Sequence, residues 1–285
     1  MFEELLRNQI FTAEVLKTRI DSCLSIRTTS SREEVDKIRN MASLTGLDYD
    51  NVVIMEGNLY SRFVHRDDLG ERTIDLRRIG HSFQNYKFSA TDSLIVVIDK
   101  IRTDFQNSSL PFLYLIMDGS RPVGIITYAD LNRRSTYVYF YILIAFVEQW
   151  LRKTIAEKYS RDRRLSPRWM HTITPSAKER LTRDSHKKGE STLSVASLSQ
   201  LVHVFMKDPV FLEQREMYGS QLNNKILSVL NYLRPKIMHP TKLLVPKDKI
   251  LKRLDALSKI AHQITDLIKR EDFNEKNGGW PSYPQ

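Results

Sequence analysis

The stretch Pro111–Leu131, PFLYLIMDGSRPVGIITYADL, constrains this chain more than any other. Two apolar runs flank Asp118-Gly119, a dipeptide with turn chemistry, so Pro111–Met117 and Val123–Ile126 read as the arms of a β-hairpin. The second arm leads into Thr127-x-x-Asp130, where a helix N-terminus is expected, with Asp130 in its first turn. Backbone N–H groups and a hydroxyl at such a point favour a phosphate, and a nearby carboxylate can accept from a pair of ribose hydroxyls. The same residues also describe an ordinary N-cap with an acidic first turn, which needs no ligand.

Upstream, Phe88-Ser-Ala-Thr91 leads into a helix expected over Asp92–Phe105, with Leu94, Ile95, Val97, Ile98 and Ile101 along its buried side. The order is strand, helix, strand, strand, helix. With Gly124, Ile125, Ile126, Thr127 and Asp130 forming a G-h-h-T-x-x-D run, this unit resembles the second half of a CBS domain. The resemblance implies a module over residues 66–136 that takes an adenine nucleotide as regulator, with Gly124, Thr127 and Asp130 as the binding residues. Only one repeat is evident in the sequence, and a nucleotide-binding pair needs two. The resemblance therefore implies a homodimer.

Residues 1–65 read as a helical extension, a packing arm or a dimer contact. Phe2, Leu5, Leu6, Ile10, Val15, Leu16, Ile20 and Leu24 have helical spacing over 2–26, and Ser31 with Glu34 fits a capping box for a second helix to about Leu44. Asn51–Met55 reads as a short strand ending at Gly57.

From Tyr137 the pattern changes to long amphipathic segments, Tyr137–Tyr159, Leu193–Lys207, Leu222–Leu233 and Ile250–Ile268. Such segments make an all-α bundle over 137–272, followed by a flexible tail over 273–285. The fold class is thus α+β, a small α/β module joined to a helical bundle. Between the last two segments stands LRPKIMHP, Leu233–Pro240. An Arg guanidinium can brace a phosphoryl group as charge builds on it, and a His can move a proton near neutral pH. Arg234 and His239 supply those two functions, which metal-independent RNA cleavage requires. The arrangement resembles the Arg-x(4–6)-His motif of HEPN-domain ribonucleases. That resemblance implies Arg234 and His239 as catalytic residues, no cofactor, RNA as substrate and action as a dimer, with toxin or antiviral-defence biology. Arg164 with His171 and Arg180 with His186 satisfy the same spacing. Pro235 stands where the family usually has a polar residue, and a helix break is expected there. Pro240 biases His239 away from helical geometry. Glu148, interrupting an apolar face, is a candidate to orient Arg234 or His239.

Composition bounds the rest. A net charge of +10 and a pI of about 9.6 suit a polyanionic partner. Between Leu151 and Glu190 stand 12 Lys or Arg against 5 Asp or Glu, a concentration equally consistent with a solvated linker. The single Cys23 excludes an intramolecular disulfide and four-Cys zinc sites, which points to a reducing cytoplasm. No metal motif, signal peptide or membrane span is expected: the apolar run Tyr137–Val147 would extend only ~16 Å as a helix. Two readings remain. One is a nucleotide-regulated endoribonuclease; the other is a non-catalytic nucleotide-sensing dimer that binds RNA or a protein.

Overall fold

The computed structural model describes residues 12–19, 25–27, 30, 33–36, 51–56, 59–65, 81–107, 113–160, 168–218, 223–238 and 243–276. The chain divides into two compact units. One holds Asn8–Thr136 with Leu244–Asp255; the other holds Met1–Arg7, Tyr137–Leu243 and Ala256–Gln285. The architecture is mixed α+β, and every described strand belongs to the first unit.

That unit contains α1 (Ala13–Leu16), β1 (Thr18–Arg19), β2 (Ser25–Arg27), β3 (Asn51–Glu56), β4 (Leu59–His65), β5 (His81–Ser82), β6 (Lys87–Ser89), α2 (Leu94–Asn107), β7 (Leu113–Asp118) and β8 (Arg121–Thr127). The strands form two four-stranded sheets, ordered β2-β3-β4-β5 and β1-β8-β7-β6. In the first, β2 runs parallel to β3, β3 pairs antiparallel with β4, and β5 closes the edge antiparallel. The second repeats this with β6, β7, β8 and β1. The registers coincide at an offset of 62 residues: Val53 faces Phe63 and Leu115 faces Ile125, while Ile26 faces Ile54 and Phe88 faces Ile116. Even the register irregularity after Ile54 recurs after Ile116. The edge strands cross over, since β1 precedes the first repeat but completes the sheet of the second.

These strands correct the expectation of a helical extension over 1–65. Residues 18–19 and 25–27 are extended, β3 is followed by a second arm β4, and helix is confined to α1 and residues 33–36 among the described residues of that region. The single-repeat premise falls with it. The chain carries two strand–strand–strand repeats of its own, so the inference of a homodimer from a missing repeat no longer holds.

Packing explains the duplication. Val53 and Leu115, and Phe63 and Ile125, are equivalent pairs, and all four lie in one core cluster with Phe83 and Leu113. Phe63 packs against Phe83 and Tyr86 at ring-centroid distances of 5.2 and 5.4 Å. Burying side chains of this size contributes about 1.5–3 kcal/mol each. Val52–Ile54 and Leu113–Ile116 are buried without alternation, so the first arm of each hairpin is covered on both faces. Helix α2 buries Leu94, Val97, Ile98 and Ile101 at helical spacing. It begins two residues later than expected because Asp92 accepts the Ser89 N–H instead of entering the helix.

All regular structure among the described residues of the second unit is helical. The unit holds α3 (Arg134–Ser160, continuing from the first unit), α4 (Pro175–Lys188), α5 (Leu198–Lys207), α6 (Leu212–Tyr218), α7 (Asn224–Met238) and α8 (Ile250–Lys276), the last entering from Asp255. Local chemistry sets the ends. Pro175 occupies the first turn of α4, and Gly189, at φ +65°, closes it. Ser197 and Gln200 form a capping box that starts α5 after Leu193, where the pattern alone had placed it. Asn223 accepts the Ile226 N–H and so starts α7. Trp150, Phe205, Phe211 and Tyr218 stack edge-on or tilted at 5.1–5.6 Å in the interior.

Helix α7 runs through Pro235, against the expected break. Leu230, Leu233 and Ile237 are buried on one face, while Pro235 is exposed. The apolar face on both sides of the proline holds the helix together despite a missing hydrogen bond that ordinarily costs ~3 kcal/mol.

Candidate functional site

Strand β8 carries Gly124, buried between Ile116 of β7 and Arg19 of β1, and ends at Thr127. The expected helix after Thr127 is a 3-10 turn, Tyr128–Asn132. Thr127 donates both its backbone N–H and its hydroxyl to Asp130 Oδ2, at 2.8 and 3.0 Å. Arg133 Nε donates to the other carboxylate oxygen at 2.8 Å. The structure thus brings Thr127 and Asp130 together, with Gly124 three residues upstream on the same strand. Asp130 is 8% exposed and both its oxygens are engaged, which is the geometry of a satisfied N-cap. Arg133, with 43% of its side chain exposed, is the partner most easily exchanged for a ligand's hydroxyls.

The turn does more than cap. Asn132 donates to the Val245 carbonyl at 3.1 Å and accepts the Val245 N–H at 2.7 Å. Leu244 and Val245 are fully buried, and Arg102 reaches Asp255 at 3.7 Å. The Leu244–Asp255 segment is thereby held against the unit that carries Asp130, two residues from Asn132. This strap was not legible as such in the sequence, because a reciprocal amide–backbone pair separated by 113 positions leaves no local pattern.

In the helical unit, Arg234 of α7 donates from Nε to Glu148 Oε1 of α3 at 2.9 Å. Arg152, one turn on, approaches the second carboxylate oxygen at 3.8 Å and donates to the Leu193 and Ala196 carbonyls. Glu148 is 19% exposed and Arg234 37%, so a half-buried carboxylate orients a guanidinium whose Nη groups make no hydrogen bond among the described residues. Glu148 takes the orienting position that its interruption of an apolar face suggested. Arg234 sits within α7, not in a connection between helices. His239 lies outside the described residues, as does Arg164; Arg180 and His186 are both exposed on α4.

A third cluster escaped the sequence reading. Buried Asp208 accepts from the Tyr159 hydroxyl and from the Val210 N–H at 3.0 Å, and lies 3.6 Å from His171 Nδ1. Its carboxylate caps the turn Pro209–Phe211, a structural duty. Elsewhere, burial, then the Asp104 carboxylate 2.7 Å from its hydroxyl, pushes the Tyr114 phenol well above its ordinary range; burial does the same for Tyr139. Among the described residues no group of three or more His, Cys, Asp or Glu is placed to hold a metal ion. No described helix is long and apolar enough to cross a membrane.

No protein-family model matches the chain, and no curated protein matches it. Solved structures similar to it include the CBS domain of a bacterial CNNM/CorC family Mg2+ transporter in complex with ATP, at 13% identity, covering 45% of this chain and 89% of that one, with a TM-score of 0.35. A CBS-domain pair with bound AMP from Klebsiella pneumoniae shows 10% identity over 42% of this chain and 94% of that one, with a TM-score of 0.32. The CBS domain of a putative transporter from Clostridium difficile 630 shows 19% identity over 46% and 92%, with a TM-score of 0.33. Scores of this size establish no shared fold. The duplication rests on the strand registers alone.

Proposed function

We propose that the chain is an adenine-nucleotide-regulated, metal-independent endoribonuclease, with a CBS-type pair of repeats as sensor and a HEPN-type helical unit as effector. The observation that carries the effector half is the hold of Glu148 on Arg234 through Nε, which leaves the guanidinium fork for a phosphoryl group. In the reaction, the ribose 2′-hydroxyl loses its proton, its oxygen attacks phosphorus, and the 5′-oxygen leaves with a proton. Arg234 stabilises the charge of the crowded phosphorane, and His239 moves the protons. The products are a 2′,3′-cyclic phosphate and a 5′-hydroxyl. A homodimer would offer two copies of the pair to one substrate. On the sensor side, the duplicated hairpins support the scaffold of the pair, and the turn at Thr127 and Asp130 in the second repeat supplies hydroxyl, N–H and carboxylate to a nucleotide. Binding replaces Arg133 on Asp130 Oδ1 with a ribose hydroxyl. Such an enzyme acts in the cytoplasm and arrests growth on expression.

A second reading, a non-catalytic nucleotide-sensing dimer that binds RNA or protein, is favoured by Pro235 beside Arg234. RNA cleavage in excess EDTA, compared between the wild type, Arg234→Ala and His239→Ala, separates the two. Loss of cutting by at least 100-fold with RNA binding retained supports the enzyme, since removing one transition-state donor costs ~2.7–4 kcal/mol. RNA binding without cutting in all three proteins favours the second reading.

A further inference from the structure

Helix α4 is anchored by little and exposes much. It buries only Leu181 and Ser185, and the segment before it is pinned where His203 Nε2 lies 2.9 Å from the Thr172 carbonyl. At about 100° per residue, Arg180, Arg183 and Lys187 fall within an arc of about 60° on the side away from that buried line. All three are exposed, with Ser176 exposed in the same arc. The acidic residues stand at the margins: Glu179 flanks one side, and half-buried Asp184 flanks the other, 3.9 Å from Arg183. His186, Lys187 and Lys188 close the helix, where the macrodipole favours cations. That accounts for the last turn but not for Arg180 and Arg183, which lie at mid-helix.

We propose that the Arg180–Arg183–Lys187 stripe is a docking surface for the phosphate backbone of single-stranded RNA. The inference rests on the reading of the helical unit as an RNA effector and assigns its substrate a second hold, apart from Arg234. The stripe is ~10 Å long and sets three cations along one helix face, which a chain of phosphates can follow. Two guanidinium forks bind phosphate oxygens pairwise, and the hydroxyl of Ser176 adds a neutral donor. An anionic membrane fits this face poorly. Membrane-surface helices set apolar residues beside their cations, and no exposed residue of α4 is a large hydrophobe.

The test is binding of a fluorescein-labelled uridine 20-mer to the full chain in EDTA, measured across a salt series. The variants are Arg180→Glu/Arg183→Glu/Lys187→Glu, the charge-preserving Arg180→Lys/Arg183→Lys/Lys187→Arg, and a charge-matched control, Lys225→Glu/Lys259→Glu/Lys269→Glu. The expected result is about tenfold or greater loss for the first alone, with the slope of log affinity against log salt shallower by about 2. An unchanged circular-dichroism spectrum and melting temperature of the stripe variant exclude misfolding as the cause of that loss, and the charge-preserving variant keeps more affinity than the stripe variant. Equal loss in the control, no loss in the stripe variant, or no RNA binding by the wild type overturns the proposal. So does a stripe variant that loses binding only to phosphatidylserine vesicles. A wild type that binds through the stripe without cutting leaves the docking surface standing and removes the endoribonuclease reading.

Discussion

The two repeats of the strand-bearing unit share registers position for position and differ in the side chains that fill them. Ile54 faces Arg62 in the first, where Ile116 faces Gly124 in the second; Asn51 faces His65 where Leu113 faces Thr127; Val52 stands where Tyr114 stands. The shared part is what packing demands, apolar residues at Val53, Phe63, Leu115 and Ile125 meeting in one core. The divergent part is chemistry. The bare backbone of Gly124 and the hydroxyl of Thr127 occur once, so the duplication supplies a scaffold and the second repeat alone supplies the proposed nucleotide turn.

That contrast can be broken at its shared core first. Phe63→Ala should destabilise the unit by about 3–5 kcal/mol, and Ile125→Ala by about 2–5 kcal/mol. Chemical denaturation measures both, and a large loss at one position only would show that the repeats do not support each other equally. At the divergent turn, Asp130→Asn should weaken AMP or ATP binding about tenfold or more, as loss of a charge-assisted hydrogen bond implies. Arg133→Ala, which removes the Arg133 bond to Asp130 Oδ1, should tighten it. Calorimetric titration reads both, and identical affinities would place the ligand elsewhere.

Alkaline pH sharpens the comparison at Tyr114, which has no phenol counterpart at Val52. Burial and Asp104 hold its proton in the folded state, while the unfolded phenol ionises near pH 10. The folded pKa is the raised one, so its share of stability is complete below pH 10 and lost as pH rises above it. The loss is about 1.4 kcal/mol per pH unit. Tyr114→Phe should flatten the unit's denaturation profile between pH 10 and 11, and an unchanged slope would locate the titration at another residue. A more local break is at the strap. Asn132→Ala removes both bonds to Val245 and should cost about 1–3 kcal/mol, seen as faster hydrogen exchange at Val245.

The second repeat was legible because its hairpin arms are apolar runs around Asp-Gly. The first was hidden. Ser61, Arg62 and His65 interrupt the alternation of β4, and β1 and β2 are too short to show a period. The apolar residues of 2–26 happen to fall at helical spacing, and local pattern won over tertiary pairing. One signal was present: Ile54-Met-Glu-Gly recurs as Ile116-Met-Asp-Gly. In the helical unit, Glu148 was legible as a charge interrupting an apolar face, and Arg234 by its spacing to His239. The passage of α7 through Pro235 was not, since propensity forbids it and only the burial of Leu233 and Ile237 on either side sustains it.

The most direct measurement is cleavage of a labelled RNA by purified protein in excess EDTA, with and without AMP and ATP. The wild type, His239→Ala and Asp130→Asn would be run side by side. The account predicts metal-independent cutting that vanishes in His239→Ala, and a nucleotide response that vanishes in Asp130→Asn while basal cutting stays. Equal cutting by the wild type and His239→Ala, or none by any protein under any condition, would contradict it.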